Sequence, residues 1–320
     1  MFTPIFNQMI FLFAFIVIGF ILAKWKFLPD NSSQVLSKLE NMLFMPALVM
    51  STFITNFTVD TVSTYGRLFL TSGIMVAVLI VLSLLLAKVC FKENYLRKIA
   101  TYGLAFSNFG FMGNAIMQGV FPEIFTEYVV FTMPLWFMIY LWGAPVLLIS
   151  GSTDGEKVSL SKRLKSFANP MLIGMLIGMV LGITGAGNYI PTGLRLVIDV
   201  SGNCMSPVAM LLTGLTIGKI NVLALLKKWR IYLTTAVKLL VYPLFFIALF
   251  ALIPQGGWID DIFLKCGMCV AAMPMGLNTI VIPAAYGKDT SDAAGLALVS
   301  HIFSVGTIPL MFMLLQALVL

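Results

Sequence analysis

Charge is scarce in this chain. Of its 320 residues only 10% are charged, against about 25% in an ordinary soluble domain. Histidine occurs once, at position 301, which excludes every zinc motif built on two histidines. Among the acidic residues only Asp199 lies well inside an apolar run, so there is no pair for an aspartyl protease. No acidic cluster of the kind a lipid transferase uses is present either, and the chain is not expected to be an enzyme or to hold a metal or cofactor. No Gly-x-x-x-x-Gly-Lys-Ser/Thr loop occurs, so a nucleotide is not its direct energy source. Neither RNA-binding aromatic-and-basic motifs nor zinc-finger spacings accompany the net charge of +7, and no nucleic-acid partner is expected. Cys90 and Cys204 stand alone, while Cys266 and Cys269 form a C-x-x-C inside the apolar "FLKCGMCVAAM", where packing is the natural role. The longest polar insert is "SGSTDGEKVSLSKRLKSF", residues 150–167, too short for a soluble output domain.

What fills the chain instead is apolar. Hydrophobic residues make up 60% and the mean hydropathy is +1.00. A helix crosses a bilayer with about 20 mostly apolar residues. That ruler finds ten segments, at roughly 5–23, 34–55, 67–87, 98–120, 126–150, 169–187, 192–217, 230–253, 261–285 and 293–318. The first lacks a basic leader and a small-residue cleavage site, and is read as a retained helix.

The two halves of the chain resemble each other. "RLFLTSGIM" opens segment three and "RIYLTTAVK" opens segment eight; Pro46 and Pro207 recur in segments two and seven, and Pro145 and Pro309 in segments five and ten. The offsets are 163, 161 and 164 residues. Residues 1–150 are therefore read as one five-helix repeat, 151–168 as a cytoplasmic linker, and 169–320 as a second repeat. Five is odd, so the second copy enters the membrane inverted, as in many secondary transporters. Loops after odd-numbered segments carry sixteen lysines and arginines, and the opposite side three. This asymmetry predicts a multi-pass cell-membrane protein with both termini outside and the central loop in the cytoplasm. Pro46 and Pro207 are expected to break the helices of segments two and seven.

Two segments look interrupted. Segment four holds "SNFGFMGNAIMQGVFP", with Asn108, Gly110, Gly113 and Asn114; segment nine holds "MPMGLNTIVIPAAYG", with Pro274, Gly276, Asn278 and Thr279. Asn114 and Asn278 match at an offset of 164. Breaking two antiparallel helices at one depth brings free N–H and C=O groups to mid-membrane, where a helix N-terminus can hold a carboxylate. These eight residues are the candidate substrate site. The run Gly174, Gly178 and Gly182 in segment six reads instead as small-residue helix packing.

With its Pro, Gly and Asn followed by Tyr286-Gly287-x-Asp289, "AAMPMGLNTIVIPAAYGKD" resembles the segment-nine pattern of the auxin efflux carrier family, which includes malate and malonate permeases. The resemblance extends along essentially the whole chain. One departure is Gly113-Asn114-Ala115, where the family often has Gly-x-Pro. The resemblance implies an all-α membrane fold of ten helices with helices 4 and 9 crossed, similar to bile-acid:sodium symporters and sodium/proton antiporters. Segments one, two, six and seven would form a scaffold, able to dimerise, and the others a mobile domain. It further implies a small organic anion as substrate, a dicarboxylate or an auxin-like acid, moved with H+, Na+ or no coupling ion.

Ionisable groups inside spanning segments are functional candidates. Lys238 has two open readings: a fixed, titratable cation beside the crossed helices, or a lysine snorkelling to the interface. Asp199 is read as a proton carrier, as a partner of Lys238, or as a vestibule residue. His301 is either titratable or a hydrogen-bonded packing group. Glu40 and Asp292 lie near segment ends and are expected to be solvated. A sodium-coupled carrier of the same fold and a non-transporting membrane sensor are the alternatives to an anion carrier.

Overall fold

In the computed structural model, residues 2–149, 170–219, 227–253 and 256–320 are described. The linker expected at 151–168 lies outside the described residues. Within them every regular element is helical, and the β features are two isolated bridges.

Helices occupy all ten segments. Segment one is Phe2–Lys24 and segment three is Val59–Cys90. Segment five runs from Phe125–Met138 into Ile139–Ile149, six is Pro170–Ile183, seven is Thr192–Lys219 and ten is Ser291–Leu318. Segment two joins Ser32–Leu39 to Met45–Asn56 through a π turn, Glu40–Phe44. Segment eight joins Trp229–Ala236 to Tyr242–Leu252 through Val237–Val241. Segments four and nine are each split, into Asn94–Ala105 and Asn114–Val120, and into Asp261–Ala272 and Asn278–Ala285. Among the described residues, five helices are long and apolar enough to cross a membrane, those of segments three, five, seven, eight and ten.

The prolines expected to break segments two and seven do not. Pro46 is the second residue past the Glu40–Phe44 π turn, whose wider backbone makes room for the ring and its missing N–H. Pro145 likewise lies within a π stretch, and Pro243 follows one. Pro207 sits inside a continuous helix. That helix packs along segments one and two, and such neighbours let a buried helix absorb a proline.

Segments one, two, six and seven pack on one another, and segments three to five pack with eight to ten. The glycine run of segment six explains part of the first group. A Cβ on Gly174 would stand 2.8 Å from the carbonyl oxygen of Pro46, and one on Gly178 2.7 Å from that of Met50. Only glycine allows segments two and six to approach so closely.

Contacts between segment ends join loops of like parity. Arg67 pairs with Asp260 and Lys228 with Asp292. Lys219 donates to the Asp30 carbonyl and the Ser33 hydroxyl, and Lys288 to the carbonyls of Leu148 and Ile149. These contacts bring together ends of the loops after segments one, five, seven and nine, and separately ends of those after segments two and eight.

Candidate functional site

Both broken segments open into extended chain, and the two breaks cross. Asn94–Ala105 ends at Phe106, and Asp261–Ala272 ends at Met273 in the β region. Ser107 and Met275 form an antiparallel bridge. The N–H of Asn108 donates to the carbonyl of Pro274 at 2.8 Å. The Ser107 hydroxyl donates to the carbonyl of Val270 at 2.7 Å, and the Ser300 hydroxyl accepts from the N–H of Met275 at 3.3 Å. Each break thus satisfies backbone groups of the other, which lipid cannot do.

The first break needs no proline. It sits at Phe106–Asn108, upstream of the Gly113-Asn114 pair, which falls where the π turn Phe109–Gly113 meets the helix Asn114–Val120. The end residues Phe106 and Met273 are 167 residues apart (273 − 106). In space, then, the crossing is related by an offset three residues longer than the one pairing Asn114 with Asn278. Asn114 and Asn278 each begin the second α-helix of their segment, but a π turn, Phe109–Gly113, separates the half-buried Asn114 from the break.

Gly276 makes the approach possible. A Cβ there would stand 2.7 Å from the carbonyl oxygen of Phe106. Gly110 lies under the Trp136 ring, which a Cβ would meet at 2.6 Å, and Gly113 lies against Tyr128. The Thr279 hydroxyl is used locally, donating to the Gly276 carbonyl.

The ends of the four half-helices separate by charge. The two C-terminal ends meet Lys238, fully buried, whose Nζ donates to the carbonyls of Leu104 at 3.4 Å and Ala271 at 3.3 Å. The same nitrogen lies 4.9 Å from the Tyr242 ring centroid. A cation at two helix C-termini is the favourable sign. The structure therefore places Lys238 at the crossing, buried between the two helix ends.

Where the second half-helices begin, a small cavity of about 10 Å³ is lined by Tyr102, Phe106, Asn108, Trp136, Ile139 and Asn278, with Gly110 and Gly276. That is room for about one water, so the site is shut around itself in this conformation. The Asn278 amide donates to the Tyr102 hydroxyl at 3.0 Å. The Asn108 amide lies 2.9 Å from His301 Nε2, and His301 Nδ1 lies 2.7 Å from the Ala297 carbonyl. A carbonyl only accepts, so Nδ1 carries the proton and Nε2 accepts from Asn108. The side-chain carbonyl oxygens of Asn108 and Asn278 are buried without a hydrogen-bond partner among the described residues.

Asp199 stands apart from this cluster. It accepts from the Ser51 hydroxyl at 2.6 Å and pairs with Arg195 at 3.1 Å, so no contact joins it to Lys238. Cys266 and Cys269 are buried free thiols, and Cys269 Sγ lies 3.9 Å from the Gly113 carbonyl. Tyr102, Trp136 and Ser107 belong to the site and were not singled out from the sequence. Tyr102 and Ser107 had proximity to a suspected break as their one signal, Trp136 in segment five had none, and aromatic residues in an apolar segment otherwise read as core.

A family model described as membrane transport protein matches residues 4–312 of the chain. No curated protein matches it.

Proposed function

The chain belongs to the auxin efflux carrier family of membrane transport proteins, and from that premise we propose that it carries a small organic anion through the crossing. The observation that carries this reading is the sorting of helix ends. The N-terminal end of Asn278–Ala285 and the start of the Phe109–Gly113 π turn line the cavity of Tyr102, Trp136 and Asn278, and helical N-terminal ends attract carboxylates. The two C-terminal ends, which would otherwise attract a cation, are occupied by the Lys238 ammonium. That occupancy favours anion transport without sodium over a sodium-coupled carrier of the same fold.

The orphan oxygens of Asn108 and Asn278 accept hydrogen bonds and do not donate them. Among a malate- or malonate-like dicarboxylate and an auxin-like acid, malate alone pairs two carboxylates with an alkyl hydroxyl donor. A 10 Å³ cavity admits none of these, so binding requires the group of segments three to five and eight to ten to move against segments one, two, six and seven. This is alternating access, either secondary active or facilitative. The sixteen basic residues on odd-numbered loops support a cytoplasmic location for that face and both termini outside. The scaffold faces of segments one, two, six and seven are the proposed place for a homodimer contact.

The test is uptake of labelled malate into proteoliposomes by wild type and Asn278→Ala, with and without sodium and a pH gradient. Saturable uptake that the substitution abolishes is expected, with malonate competing more weakly than malate. Binding without translocation in wild type would replace the carrier by a sensor.

A further inference from the structure

Glu40 opens the π turn of segment two with no exposed surface, and neither carboxyl oxygen has a hydrogen-bond partner among the described residues. This differs from the solvated position expected from its place near a segment end. Its neighbours in sequence tie segment two to the broken segment nine. The Ser37 hydroxyl and the Asn41 amide both donate to the carbonyl of Val281, at 2.5 and 3.1 Å. Val281 lies in the second half-helix, Asn278–Ala285. Glu40 thus sits at a joint between the two packed groups of segments.

The elements around this turn carry few charges. Pro170–Ile183, Asn278–Ala285 and Met45–Asn56 contain no ionisable side chain. Lys38, on the adjoining turn, is exposed. On segment seven, Arg195 and Asp199 pair with each other, Cys204 is half-buried, and Lys219 is bound to Asp30 and Ser33. None of them bonds to Glu40. An ionised carboxylate with neither water nor a partner is among the costliest features a fold can hold.

We propose that Glu40 is a proton-binding site, loaded in this conformation, through which movement of segment nine against segment two is coupled to H+. This rests on the carrier reading and adds its coupling ion. When the Val281 contacts part, water reaches Glu40; its O–H bond breaks and the proton passes to water. When the joint closes again, the carboxylate must first take a proton from the side it then faces.

Two measurements test it on the full-length protein in lipid. The infrared C=O stretch of a protonated carboxyl should be present at neutral pH in wild type and missing in Glu40→Gln, and also in Glu40→Leu should the first variant fold poorly. Identical spectra for wild type and variant would overturn the proposal. In proteoliposomes, Glu40→Gln should exchange labelled malate at equal pH yet show no acceleration by an inward proton gradient that speeds wild type. A variant that keeps the acceleration, or a wild type driven by sodium instead, overturns it as well. A wild type that moves no malate overturns the malate reading alone, and the infrared comparison still decides whether Glu40 holds a proton.

Discussion

The ammonium of Lys238 lies 3.3 Å from the carbonyl oxygen of Ala271, the penultimate residue of a helix that stops inside the protein. The same nitrogen reaches Leu104 on the other broken segment, so one side chain joins two helix ends across the crossing. Replacing it with methionine leaves both carbonyls facing a thioether, at about 1–3 kcal/mol for each unsatisfied group. It also relieves the desolvation of a buried charge, a penalty of several kcal/mol that offsets that loss. Stability should therefore change little, while malate uptake by Lys238→Met falls at least about tenfold, the equivalent of roughly 1.4 kcal/mol. Wild-type uptake in a correctly folded variant would remove Lys238 from the mechanism.

Gly276 offers a purely steric test. Alanine there brings a methyl group within 2.7 Å of the Phe106 carbonyl oxygen, a backbone atom that moves only if the crossing moves. Overpacking of this kind costs about 1–3 kcal/mol, so Gly276→Ala should lower the melting temperature by several degrees. Gly306→Ala is the control, because nothing lies within 4 Å of its added Cβ. Equal melting of the two variants would mean that the breaks do not touch as described.

The contrast between these two breaks shows what a sequence reveals. Segment nine declares its interruption through Pro274 and Gly276, each a local helix breaker. Segment four stops at Phe106-Ser107-Asn108, where no residue is a strong breaker. Its chain leaves the helix because Ser107 and Asn108 find partners on Val270 and Pro274. Those partners are more than 160 residues away and leave no local trace. The glycines downstream drew the eye instead, and Asn114 with them. Apolar runs revealed the ten helical segments, but the π turns at Glu40 and Val237 depend on how neighbours accommodate nearby prolines. Glu40 itself looked solvated because composition marks the end of an apolar run without telling what packs over it.

Tyr102 holds Asn278 by accepting from its amide at 3.0 Å, which makes the tyrosine a positioning group for the proposed site. Tyr102→Phe removes that acceptor and leaves a buried amide unpaired, at about 1–3 kcal/mol. The expected signature is a malate KM raised several-fold with a smaller change in maximal rate. Tyr140→Phe provides the comparison, since its hydroxyl has no hydrogen-bond partner among the described residues. Its loss should leave KM near the wild-type value.

At the start of segment ten, the Asp289 carboxylate accepts from the hydroxyl of Ser291 at 2.6 Å and from its backbone N–H at 2.9 Å. The hydroxyl contributes most, then the N–H. Both outweigh partial burial, and with the charge of Lys228 they hold the carboxyl below its ordinary value of 3.8. A folded-state value below the unfolded one means that the fold prefers the carboxylate. Its stabilising contribution is complete above pH 3.8, declines as pH falls below that value, and is gone below the folded-state value. Asp289→Asn, which cannot ionise, should therefore melt lower than wild type at neutral pH, and the gap should close on acidification. Because the carboxylate is largely exposed, solvent keeps the difference small. Melting curves collected from pH 3 to pH 7 would read it directly, and a gap that widened toward acid would show that the Ser291 bonds do not favour the ionised form.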